Sequence, residues 1–211
     1  MLDLVLPLQC GGCGAPSTRW CDGCASALDV DVDEPHVLTP RVDPGVPVFG
    51  LGRYAGPRRQ AIVALKERGR RDLAGPLSRA LALGIHRLTG WGILGESLTV
   101  VPAPSRRSSA RRRGGDPVLR IAMGATAASP RHGVAPVLRT AAMVRDSVGL
   151  TSAARERNIA GRVRLTAAVP TGEVLLVDDV VTTGATAREA VRVLAGGGAA
   201  VSAVLALAYV R

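Results

Sequence analysis

At 211 residues, 47% hydrophobic and 21% charged, the chain can bury a sizeable core in one full domain plus a small appendage, and its composition excludes a disordered or collagen-like protein. Only five residues are aromatic, Trp20, Phe49, Tyr54, Trp91 and Tyr209, so the core must be aliphatic and a nucleic-acid surface of stacked aromatics is hard to assemble. The net charge of +10 is unevenly spread: residues 1–40 hold one base, Arg19, against six acids, and the basic remainder attracts phosphate-bearing partners, small anions and nucleic acid alike.

The opening run MLDLVLPLQC has no Lys or Arg ahead of its short apolar stretch and carries Asp3 within it, which argues against a secretory signal. The longest uncharged stretch, 193–210, is broken by Gly196, Gly197 and Gly198, whereas a spanning helix needs about 20 apolar residues. The expectation is a soluble cytoplasmic protein without membrane insertion, whose thiols stay reduced.

All four cysteines fall in one window, Cys10 and Cys13 then Cys21 and Cys24, two C-x-x-C pairs separated by seven residues. Each pair can present two thiolates through a tight turn, and four sulfurs give Zn²⁺ a closed tetrahedral site of the structural kind. Metal binding would then supply folding energy to a segment poor in large apolar side chains. Two disulfides or an iron–sulfur cluster are the competing readings. Trp20, beside Cys21, is expected to shield the metal. The acidic run Asp29, Asp31, Asp33 and Glu34, with Pro35, Pro40, Pro44 and Pro47 after it, has neither helical nor strand period and reads as a linker. The resulting division is a zinc-binding module with its acidic linker over 1–40 and a larger domain over 41–211.

In that domain 48–54 reads as a strand. Residues 58–71 read as a helix with Ala61, Ile62 and Leu65 on one face and Arg58, Arg59, Lys66 and Arg70 on others, a solvated charged surface. A second helix is expected over 73–88. The apolar run 98–101 stops at Pro102-Ala103-Pro104, and an arginine-rich loop leads to a helix over 117–127, one βα unit. A strand over 134–139 and a long polar connection over 140–161 follow; connections of that length are commonly lids. Residues 174–177 are uniformly apolar, as in a central parallel strand, and Asp178 and Asp179 close them. After a threonine-rich turn comes a helix over 187–195, capped by Thr186 with Glu189 three residues on, and a last strand over 201–209. The pattern predicts an α/β fold with a mostly parallel sheet.

Ligands of open α/β sheets sit at the carboxyl ends of strands, where Asp178 and Asp179 lie. Thr182, Thr183 and Thr186 add hydroxyls, Gly184 and Ala185 add backbone N–H groups, and the next helix adds the positive end of its dipole, together a phosphate cradle. Carboxylates beside such a cradle suit a ligand with hydroxyls a few ångströms from its phosphate, such as a ribose 5-phosphate. A P-loop is excluded, because the single lysine, Lys66, is followed by Glu67. No G-x-S-x-G or H-E-x-x-H is present, and His36, His86 and His132 are isolated.

Residues 174–186, VLLVDDVVTTGAT, resemble the phosphoribosyl-pyrophosphate (PRPP) signature of type I phosphoribosyltransferases. Together with the four-cysteine head, the segment from Tyr54 through Lys66 to Gly69, and Val101 to Pro104, the chain resembles the ComF (GntX) competence-associated family. The resemblance implies a type I phosphoribosyltransferase-like sheet flanked by helices. It further implies that Asp178 and Asp179 hold the ribose hydroxyls and that Thr182, Thr183, Gly184, Ala185 and Thr186 wrap the 5-phosphate. Pro104, Ser105 and Arg106 would face the pyrophosphate, with Arg155 and Arg157 in a hood over the site, Mg²⁺ entering with PRPP and an unspecified acceptor. Where the family shows an R-G-F-N-Q-like run, this chain has RGGDP over 113–117. Two other functions are kept beside the transferase: a PRPP-binding regulator that does no chemistry, and a component handling single-stranded DNA with the competence machinery during DNA uptake. Self-association is left open.

Overall fold

The computed structural model describes residues 8–104, 115–140 and 160–210. It is a mixed α/β structure with a mostly parallel six-stranded sheet, flanked by helices, and a cysteine cluster near the N-terminus. The described elements are α1 (Asp22–Ser26), β1 (His36–Leu38), β2 (Val48–Gly50), α2 (Gly56–Glu67), a 3₁₀ turn (Arg71–Leu73), α3 (Ala74–Gly90), β3 (Leu98–Pro102), α4 (Pro117–Thr126), β4 (His132–Val134), β5 (Leu138–Thr140), β6 (Val163–Leu165), β7 (Glu173–Val181), α5 (Ala185–Gly196) and β8 (Ala200–Tyr209).

The strand order is β1-β2-β8-β7-β3-β4, every pair parallel except the antiparallel edge pair β1–β2. Apolar side chains cover both faces of the central strands, and Val174 through Val177 are completely buried. On one face α2, α3 and α4 pack Ile62, Leu77, Leu81 and Ile121 against Leu175, Val177 and Leu205. On the other, α5 brings Ala187, Ala190 and Leu194 against Val174, Leu176 and Val204. This two-sided burial is what the uninterrupted apolar run required.

Several sequence expectations are corrected. The stretch over 134–139 is two strands: β4 ends at Val134, and after Ala135-Pro136 the chain enters β5, which pairs with β6 as a separate antiparallel ribbon. Pro136 lacks the N–H that a continuing ladder would need. The linker read before residue 41 contains β1, which extends the sheet edge beside β2. Helix α5 begins at Ala185, with Gly184 as its N-cap in the left-handed region (φ +87°) and no side-chain cap, so Thr186 lies inside the first turn. Glu189 pairs instead with Arg192 at 2.8 Å. It also accepts from the amides of Gly161 and Val163, fastening α5 to the ribbon.

The face of α2 expected to be solvated is not uniformly so. Arg58 is buried and its Nη1 donates to the Leu207 carbonyl at 3.2 Å. Gly52 leaves the room, since a Cβ there would come within 2.7 Å of the guanidinium Nε. The cysteine head packs on the same side of the sheet: Leu28 and Val30 join the core cluster of α2 and α3, and Trp20 lies against it.

Candidate functional site

The cysteine head is built from two local turns. Cys10 N–H bonds Ala15 O at 2.8 Å and Gly14 N–H bonds Cys10 O at 2.9 Å, a knuckle from which both Cys10 and Cys13 reach Cys21. Cys21 is the N-cap of α1, which returns Cys24 one turn later. The four sulfurs lie within 4.8 Å of one another, and Cys21 Sγ is 3.6 Å from both Cys10 and Cys13 Sγ. None is in a disulfide. Gly12 is required by crowding, because a Cβ there would sit 2.5 Å from Cys24 Sγ and 3.0 Å from the Trp20 ring.

Four thiols so close cannot all ionise unaided. Burial raises the Cys10 thiol, but the amides of Cys13, Cys21 and Gly12 outweigh it and bring the group down to about 6. Burial and the neighbouring sulfurs push Cys24 well up. A tetrahedral ion with metal–sulfur bonds of about 2.3 Å has sulfur–sulfur edges of about 3.8 Å, so the cluster fits a metal such as zinc.

The second site forms where β3 and β7 end. Strand β7 does not stop at Val177; β8 runs beside it to the Val181–Tyr209 pair, so Asp178 and Asp179 stand on a paired strand and the loop starts at Thr182. The register pairs Pro102 with Val177, and Ala103 N–H bonds Val177 O at 2.7 Å, which sets Pro104 near the acidic pair. Thr140 Oγ1 donates to Pro104 O at 3.3 Å and ties the β5–β6 ribbon to that corner.

Asp179 is buried and its Oδ2 lies 2.7 Å from Lys66 Nζ, delivered by the last turn of α2. Asp178 Oδ1 accepts from the Asp179 amide at 2.8 Å. Although part of its surface meets solvent, Asp178 is hemmed in by protein; this desolvation, with the charge of Asp179, pushes its carboxyl up to about 7, against the opposing pull of Lys66. Asp116, the side-chain N-cap of α4, adds to the same upward push.

In the threonine loop Thr182 is exposed and Thr186 half-buried, while Thr183, Gly184 and Ala185 are buried. Thr183 Oγ1 accepts from Ala185 N–H at 3.3 Å, and Thr183 O accepts from Val42 N–H at 2.8 Å. Residues 40–42 thus brace one side of the loop, and a Cβ on Gly184 would overlap the Val42 carbonyl oxygen and Pro40. A cleft of about 660 Å³ opens between β1, Thr182 and Tyr209.

The structure places Asp178 and Asp179 near the end of β7 with the 182–186 loop after it and Pro104 two residues past the Pro102–Val177 pair, and it separately gathers the four cysteines. The expected contributions of Ser105, Arg106, Arg155 and Arg157, and the hood over 140–161 apart from its end residues, lie outside the described residues. Sequence reasoning missed Lys66 and Asp116 as neighbours of the acidic pair. Asp116-Pro117 carried a readable signal, a capping residue followed by proline at the first helical position. Lys66 carried none, because a lysine on an amphipathic helix has the same local pattern whether it faces water or a carboxylate.

Fold and sites together define a parallel α/β protein with carboxylates at its strand ends and a distinct four-thiol centre. No protein-family model and no curated protein matches the chain. Among the described residues, no helix is long and apolar enough to cross a membrane.

Proposed function

We propose that this protein is a Mg²⁺-dependent, PRPP-binding phosphoribosyltransferase of the ComF type, with zinc as the structural metal of its cysteine head. The observation that carries the reading is the acidic pair near the end of β7, followed after Val180 and Val181 by a loop of threonines that opens helix α5, with the end of β3 paired alongside. Asp178 and Asp179 would accept the ribose hydroxyls. The loop hydroxyls and the first-turn amides of α5 after Ala185, which have no partner within the helix, would take the 5-phosphate.

In such a transfer the bond from the anomeric carbon to pyrophosphate breaks, pyrophosphate leaves with the electron pair, and an acceptor nucleophile forms the new bond. The intermediate charge on the ribose is oxocarbenium-like, so this chain's residues chiefly orient the reactants and exclude water. The carboxylates fix the ribose from a rigid strand, which limits misplacement of the anomeric carbon. Carboxylate oxygens such as those of Asp178 and Asp179 suit a hard cation that keeps several waters, and Mg²⁺, when bound, would neutralise charge on the leaving pyrophosphate.

Calorimetric titration of Mg²⁺-PRPP into the zinc-loaded protein and into Asp178→Asn/Asp179→Asn tests the reading. Binding to the first and its loss in the second supports it; turnover then requires an acceptor screen, and binding without turnover for any acceptor identifies a regulator. Absence of binding to the unaltered protein overturns it. Binding of single-stranded DNA that collapses as salt rises and ignores Asp178→Asn would favour the DNA-uptake function.

A further inference from the structure

The chain uses arginine at 26 of its 27 basic positions, and its single lysine is the cation set against the signature carboxylates. Lys66 Nζ sits 2.7 Å from Asp179 Oδ2, and its side chain remains about one third exposed, at 32%. Its side chain is therefore only partly covered by protein. From that position it also acts on Asp178, where it opposes the charges of Asp179 and Asp116. Carboxylates beside the ligand would repel one bearing several phosphate charges, and a cation held against Asp179 by an ion pair reduces that repulsion.

A guanidinium is a planar fork that would engage the carboxylate in two parallel bonds and hold it in one plane. An ammonium is a compact point charge with three rotatable donors, so it can hold Asp179 while presenting charge to a second partner. On these grounds we propose that Lys66 is the positioning cation of the strand-end site, holding Asp179 for a ribose hydroxyl and offsetting the acidic pair so that a polyphosphorylated ribose can bind, a task specific to lysine. The inference rests on the PRPP reading above.

The test compares calorimetric titrations of Mg²⁺-PRPP into the unaltered protein, Lys66→Met and Lys66→Arg. It is accompanied by reductive ¹³C-methylation of the unaltered protein, in which Lys66 gives the one side-chain amine signal, assigned by its absence from Lys66→Arg. The expected result is affinity weakened about ten- to a hundredfold in Lys66→Met, incomplete recovery in Lys66→Arg, and a shift of the Lys66 methyl signal as Mg²⁺-PRPP saturates. Unchanged affinity in Lys66→Met, full recovery with arginine, or a methyl signal that ignores the ligand overturns the assignment while leaving PRPP binding in place. If the unaltered protein does not bind Mg²⁺-PRPP, both readings fall together. The methyl signal is read on the unaltered protein, and its assignment by absence does not require Lys66→Arg to fold, so poor folding of either variant leaves the question decidable.

Discussion

The cysteine head and the strand-end site are both clusters of side chains that would repel one another once ionised, yet they are assembled in opposite ways. In the head, every reactive group comes from a span of fifteen residues, and two turns fold four sulfurs to within 4.8 Å of one another. At the strand ends, the groups come from α2, the β3 exit, the α4 cap and β7, and it is the sheet register that joins them. Among the described residues, the head brings no cation of its own to the four sulfurs, which are placed so that a metal could hold them. The strand-end site carries one of its own, Lys66, and is fixed by the same burial that makes the core.

Metal removal should produce the largest effect and break the comparison at the head. Cys24→Ser, which takes away the most buried of the four thiols, should lower bound zinc from one equivalent per chain to less than a tenth, as read by elemental analysis. Structural zinc contributes on the order of 10 kcal/mol in small domains, so the Trp20 environment should loosen, with a red-shifted emission. Retention of the emission spectrum in a metal-free protein would show that packing of Leu28 and Val30 alone holds the head.

At the strand ends the matching fault is in the backbone. Gly184→Ala imposes a side chain on a φ of +87° and drives it into Val42 O and Pro40. Left-handed strain and overpacking each cost about 1–3 kcal/mol, so the urea midpoint should fall clearly while bound zinc stays at one equivalent. A midpoint unchanged from the unaltered protein would mean that residues 40–42 do not brace the loop.

A smaller effect follows from Asp178, whose folded carboxyl titrates near 7 rather than at the ordinary 3.8. Between these values the folded state binds more protons than the unfolded one, so this group makes stability fall as pH rises from about 4 to about 7. Asp178→Asn should remove that slope and be more stable than the unaltered protein above pH 7, by about 1–3 kcal/mol. Denaturation midpoints measured at pH 5 and pH 8 check the sign, and an equal change at both values would refute it.

The same contrast explains what was legible in sequence. Cys10, Cys13, Cys21 and Cys24 announce themselves because their spacing is their geometry, and 174–186 does so because strand, carboxylates and cradle are contiguous. The mostly parallel sheet was readable from its fully apolar run for a related reason: burial on both faces erases alternation. Lys66 was not readable as a partner of Asp179, since a charged residue on an amphipathic helix has the same local pattern whether it faces water or a carboxylate more than a hundred residues away. Arg58 misled in the same way, its burial depending on a carbonyl of β8. The end of β7 was placed too early because only pairing with β8, not propensity, carries the strand through two aspartates.

The two regions are not independent, and the smallest predicted effect lies at their junction. Four residues after Lys66, Arg70 donates from Nη1 to Gln9 O at 3.0 Å and from Nη2 to Arg19 O at 3.2 Å, while Asp72 holds the guanidinium at 2.7 Å. Gly11 lies against Leu73 on the next turn, where a Cβ would come within 2.5 Å of its methyl carbons. The short segment from α2 to α3 thus touches the carboxylate site at one end and the cysteine head at the other. Arg70→Ala removes the two carbonyl contacts, which are partly exposed and so contribute about 1 kcal/mol in sum. Hydrogen exchange should then quicken at the amides of Cys10 and Gly11 while zinc content is kept. Protection at β7 and β8 should not change, because their hydrogen bonds belong to the sheet core. Faster exchange at Asp179 in the same variant would instead show that the head and the strand ends move as one unit through this segment.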